Sequence, residues 1–116
     1  MAAGIYDITV EQGATFTLSA TWKDSAGALV NITGYSARMQ IRETYESEDI
    51  ILSFTSSGGS VVLGGALGTI VVSGLASDTA MVPMTPAVYD LELESSGGTV
   101  TRLLQGKAII TREATR

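Results

Sequence analysis

The sequence predicts an all-β fold: an immunoglobulin-like antiparallel β-sandwich of about seven to nine strands, one domain over residues 1–116, with one short helical turn near residues 75–81. Three observations carry that expectation. Apolar residues recur with period two in separate segments, glycine-rich turn signals punctuate the chain at short intervals, and only one short segment reads as helical.

The elements follow in order. Ile5, Ile8 and Val10 suggest burial without clean alternation, so residues 5–10 are expected to form a weak strand, with an arm reaching a partner as the alternative. TFTLSATWK, residues 15–23, places Phe16, Leu18, Ala20 and Trp22 on one face and threonine, serine and Lys23 on the other, the mark of a half-buried strand. SARMQIR, residues 36–42, turns Ala37, Met39 and Ile41 inward and Arg38, Gln40 and Arg42 outward. VYDLELE, residues 88–94, turns Tyr89, Leu91 and Leu93 inward and Asp90, Glu92 and Glu94 outward. The outer faces of these two strands are opposite in charge, so they suit one another as neighbours, each cross-strand pair adding roughly 0.2–1 kcal/mol. Weaker strands are expected at 50–55, 60–63 and 69–73. In LASDTAM, residues 75–81, Ser77 is the expected cap and Pro83 the stop. Ser95-Ser96-Gly97-Gly98 closes a hairpin whose second arm runs to Ile110, with Gly106 as the candidate bulge because the in-out phase is unclear across Leu103-Leu104.

Composition narrows function. The chain has no cysteine and no histidine, which removes disulfides, thiolate and imidazole metal ligands, and the Ser-His-Asp and Cys-His nucleophile systems. Glu92 and Glu94 form a formal carboxylate pair, but they alternate with core residues on a strand, and a solvated face is the simpler reading. No enzyme and no cofactor are expected. Seven Lys and Arg against twelve Asp and Glu give a net charge of −5, which does not supply the concentrated basic surface that nucleic acid requires. No apolar run reaches the ~20 residues of a membrane helix, and no basic-then-apolar leader is present, so a soluble protein is expected. In TYESED, residues 44–49, Glu46, Glu48 and Asp49 lack the spacing and glycine of a calcium loop and read as a solvated loop. Asn31 is expected to bond its own turn, and the glycines of 63–68 to serve hairpins, not phosphate.

The motifs Trp22-Lys23-Asp24, Ile32-Thr33-Gly34-Tyr35, Arg38-Met39-Gln40-Ile41-Arg42, Thr79-Ala80, Tyr89-Asp90-Leu91-Glu92 and the run from Gly98 to Gly106 span nearly the whole chain. In that combination the sequence resembles small proteins of tailed-bacteriophage and prophage structural gene clusters, which are similar to immunoglobulin-like sandwich domains of tail-fibre and baseplate proteins. Pro86-Ala87 departs from the proline-glycine turn of that pattern. The resemblance implies a virion structural protein (capsid decoration, neck, baseplate or fibre attachment) assembled in the bacterial cytoplasm, with other virion proteins as partners and homo-oligomers expected. The residues expected at an interface are the hairpin stripe Asp90, Glu92, Glu94, Arg102 and Lys107, with Arg112, Glu113 and Arg116 of the tail. The rival class is a binding module for a host glycan or surface protein. Its aromatic supply is thin, because among the tyrosines only Tyr45 falls in an expected loop.

Overall fold

The computed structural model describes residues 4–83 and 85–112. Its strands are β1 (Gly4–Ile5), β2 (Ile8–Glu11), β3 (Phe16–Thr21), β4 (Ser36–Arg42), β5 (Leu52–Thr55), β6 (Val61–Leu63), β7 (Thr69–Gly74), β8 (Ala87–Glu94) and β9 (Val100–Thr111). A 3-10 turn at Gly65–Leu67 links β6 to β7, and a single helical turn, α1 (Ala76–Thr79), follows β7.

The strands form two sheets. The larger runs β1-β9-β8-β4-β5, with β2 also on β9, and the smaller runs β3-β7-β6. Alternation decides which side faces the other sheet: Ala37, Met39 and Ile41 of β4 and Tyr89, Leu91 and Leu93 of β8 are buried, as are Phe16 and Leu18 of β3. These join Val10, Ile70, Val72, Ile32, Ala108 and Ile110 in one core. Phe16 and Phe54 bridge the sheets with ring centroids 5.7 Å apart. Gly74 is small because a Cβ there would lie 3.0 Å from the Phe54 ring.

Two expectations need correction at the N-terminal strand. The sandwich is not wholly antiparallel: β1 and β2 both run parallel to β9, which the wide sequence separation permits, since no hairpin joins them. The segment is also two strands, because the chain jogs at Tyr6-Asp7 as it passes Gly106. Tyr6 N–H donates to the Gln105 carbonyl at 2.9 Å, the Asp7 carboxylate accepts the Lys107 N–H at 3.0 Å, and the Tyr89 hydroxyl donates to the Tyr6 carbonyl at 2.5 Å. A Cβ on Gly106 would run into that carbonyl. Glycine at 106 therefore marks a crossing, not a bulge. The bulge lies a short way along the ladder, where Leu91 pairs with Leu104 but Glu92 with Arg102, leaving Leu103 extra.

The helical turn is capped by Leu75, without a side-chain bond, and not by Ser77. Its anchor is Thr79, wholly buried, whose hydroxyl donates to the Ala14 carbonyl at 2.8 Å. Gln12 adds a bond from its side-chain amide to the Val82 carbonyl.

The strand arrangement resembles an immunoglobulin sandwich with one displacement. In the constant-type arrangement the first strand lies beside the second. Here the first strands have crossed to β9, and β3 is left with β7 alone.

Candidate protein-association surface

The outward side chains of β8 lie between those of β4 and β9. Register places Arg38 opposite Glu92 and Gln40 opposite Asp90 on one flank, and Arg102 opposite Glu92 on the other. The expected neighbour relation of the two charged strands is therefore present, and the charges close on each other. Arg38 Nε reaches Glu92 at 3.0 Å and its terminal nitrogen reaches Glu94 at 3.3 Å. Arg102 lies 3.5 Å from Asp90 and 3.9 Å from Glu92. Glu92, only 22% exposed, is the hub between the two guanidiniums.

The charges of this cluster bias one another's ionisation. The hydrogen bond to Glu92 is the main cause that holds the Arg38 pKa above its ordinary value. Asp90 is raised, first by burial and then by the neighbouring Glu92 charge, with Arg102, Arg42 and Arg38 opposing. Beneath the cluster, burial pushes the Tyr89 phenol up to about 12, with Tyr6, Asp7 and Tyr45 adding to the shift.

The remaining interface candidates are scattered. Lys107 is exposed further along β9, in a groove of about 450 Å³ lined by Glu43, Pro86, Val88 and Ile109. Arg112 is exposed just past the strand. Glu113 and Arg116 lie outside the described residues. Among the described residues neither Lys107 nor Arg112 has an ion-pair partner. The stripe is thus a self-neutralising cluster with two separate cations, not one continuous charged surface.

The acidic loop is organised around a cation of the protein's own. Arg42 donates to the carbonyls of Ser47 at 2.7 Å and Glu48 at 3.0 Å, and to the Gln40 side chain at 2.7 Å. Loop carbonyls of the kind that calcium takes are thereby engaged by a guanidinium. Among the described residues no group of three acidic side chains converges on one point. Asn31 accepts bonds from the N–H and hydroxyl of Thr33, closing its own turn as expected.

Sequence reasoning missed the surface apolar groups. Leu75 and Met81, 67% and 83% exposed, stand at the rim of an open groove of about 690 Å³ whose floor includes Ile51, Leu52 and Phe54. Ile5, Leu67 and Val62 are exposed elsewhere. A one-turn helix has no period from which an outward leucine can be told from a core one. No protein-family model matches the chain, and a search of curated proteins finds no match to it.

Proposed function

We propose that the chain is a non-enzymatic building block of a tailed-bacteriophage particle (capsid decoration, neck, baseplate or fibre attachment) that works by binding other virion proteins and further copies of itself. Its assembly takes place in the cytoplasm of the bacterial host. The observation that carries the association reading is the apolar rim: Leu75 and Met81 hold their side chains in water beside a groove floored by core residues. Large apolar side chains left in water beside a groove are what a docking partner would cover. The sequence resemblance supplies the virion setting.

The charged face supports the same reading from the opposite direction. A carboxylate poised for acid-base work needs a substrate-facing position, whereas Glu92 is held between Arg38 and Arg102. That arrangement suits ordering of the sheet surface better than acid-base work. Association needs no cofactor.

The test is light scattering on the purified full chain across a concentration series, together with a glycan array. A defined oligomer supports the proposal. A monomer that binds sugars reproducibly overturns it in favour of a recognition module.

A further inference from the structure

We propose that the uncovered edge of β3 is where two copies of this chain meet, each β3 pairing antiparallel with its counterpart about a two-fold axis at Ser19, so that the two small sheets become one. The inference deepens the assembly reading and rests on it.

The backbone sets the direction. On β7, Ser73 N–H donates to the Ser60 carbonyl and the Thr69 carbonyl accepts from Gly64 N–H, so the odd residues of β7 serve β6 and the even residues serve β3. The register Phe16↔Gly74, Leu18↔Val72, Ala20↔Ile70 then places the even residues of β3 toward β7, and Trp22 N–H continues the rule with its bond to Gly68 at 2.8 Å. The N–H and C=O groups of Thr17, Ser19 and Thr21 point the other way. Among the described residues no strand, loop or side chain takes them.

Every other edge is blunted. On β5, the Ser60 hydroxyl accepts the Thr55 N–H at 2.9 Å and donates to the Thr55 carbonyl at 3.3 Å, stopping the ladder with a side chain. β6 has only 3 residues. The β1-β2 edge is interrupted at Tyr6-Asp7, where pairing with β9 lapses between Gln105 and Ala108 and leaves strands of 2 and 4 residues. By contrast β3 runs 6 residues, FTLSAT, in unbroken register, without proline, charge or bulge, the devices by which edges are normally protected.

The second copy is the occupant because the edge matches itself. A two-fold axis at Ser19 sets Ser19 against Ser19, Thr17 against Thr21 and Leu18 against Ala20 of the second copy. Hydroxyl residues meet on the outer face, where such pairs stabilise a sheet, and apolar residues meet on the inner face. No like charges oppose, since Lys23 falls opposite Thr15 of the second copy. Symmetric pairing of one patch with itself also closes without forming a filament.

The test uses the full chain. Ser19 has an exposed side chain, so Ser19→Lys leaves the β3-β7 ladder intact while setting two ammonium groups against each other on the axis. Ser19→Pro deletes the central outward N–H. The wild type is expected to be a dimer in light scattering, and each variant is expected to raise the dissociation constant at least about tenfold, a change of about 1.4 kcal/mol, with circular dichroism unchanged. Ser19→Cys supplies a check that does not depend on weakened binding. The natural chain has no cysteine, so a short bis-maleimide should cross-link this variant into dimers and leave a Ser96→Cys control monomeric. If Ser19→Pro fails to fold, the lysine and cysteine variants decide. An oligomer that is untouched by Ser19→Lys, and that the bis-maleimide fails to cross-link in the Ser19→Cys variant, overturns the edge proposal and leaves the assembly reading standing. A chain that stays monomeric at all concentrations overturns the edge proposal; if that monomer also binds sugars, both fall.

Discussion

The outer face of β8 is polar through its side chains, and the outer edge of β3 is polar through its backbone. The first looks like a binding surface in the sequence and the second does not. In the folded chain the roles exchange: Asp90, Glu92 and Glu94 find Arg38 and Arg102 on adjacent strands, while the N–H and C=O groups of Thr17, Ser19 and Thr21 find nothing among the described residues. A row of carboxylates with cations one strand away is satisfied locally. A sheet edge cannot be satisfied locally unless another strand or a side chain comes to it.

The crossing at Gly106 gives the sharpest way to break that contrast. It fastens β1 and β2 to β9 and so covers one edge of the large sheet while the N-terminal segment leaves β3 bare. Gly106→Ala drives a methyl group into the Tyr6 carbonyl and is expected to cost about 1–3 kcal/mol, the range of overpacking lesions. Urea unfolding measures it. The variant should also self-associate more strongly than the wild type, because loosening β1 and β2 exposes β9 as a second open edge. A variant as stable as the wild type would show that this edge is not held by the crossing.

The Tyr89 hydroxyl belongs to the same knot and gives the next effect. Its folded pKa, about 12, stands above the ordinary value of 10.0. The folded state therefore disfavours the phenolate, and the stability tied to the neutral hydroxyl is fully present below about pH 10 and lost as pH rises through about 12. In a titration followed at the tyrosinate absorbance, one of the 4 tyrosines should resist ionisation to about pH 12, and unfolding should bring it back to the ordinary value. Tyr89→Phe removes that late step.

How much of this was legible depends on distance along the chain. SARMQIR was predicted as a strand over residues 36–42, and β4 occupies Ser36–Arg42, because alternation is a local property. That the strands of Arg38 and Glu92 suit one another as neighbours was legible too, from their opposite charge stripes, but the register that sets Arg38 against Glu92 was not. The jog at Tyr6-Asp7 was not, because the groups that create it, Gly106, Lys107 and Tyr89, lie far away in sequence. The bulge was legible in part: the in-out phase is unclear across Leu103-Leu104, where it lies, but it was assigned to Gly106, and only the fold distinguishes a glycine that serves a bulge from one at a close crossing. Which edge stays bare follows from which sheet the first strands join, and no residue of β3 records that choice.

Smaller in energy but direct in its bearing on the contrast is Glu92→Gln. It removes the carboxylate shared by Arg38 and Arg102 and should cost about 0.5–1 kcal/mol at low ionic strength, fading as salt screens the exposed pairs. Chemical unfolding at two salt concentrations reads the difference. Oligomer mass and dissociation should stay as in the wild type. If the oligomer falls apart in Glu92→Gln and persists in Ser19→Lys, the charged face is the interface after all and the contrast is reversed.

The smallest expected effect separates the members of the cluster. Asp90 is partly withdrawn from water beside Glu92, and its pKa is raised despite the neighbouring arginines. A raised carboxylate contributes stability that is present below its ordinary range and lost as pH rises through the folded value, so at neutral pH the ionised Asp90 is a slight burden on the fold. Asp90→Asn should therefore leave the protein equally or slightly more stable at neutral pH, with the gain disappearing below the carboxylate range, whereas Glu92→Gln should destabilise at neutral pH. Opposite signs from two carboxylates on one strand face would show that the stripe is an arrangement of unequal charges organised by its own arginines. Equal losses from both would mean that Asp90 depends on Arg102 as Glu92 depends on Arg38, and that β8 presents one uniform row.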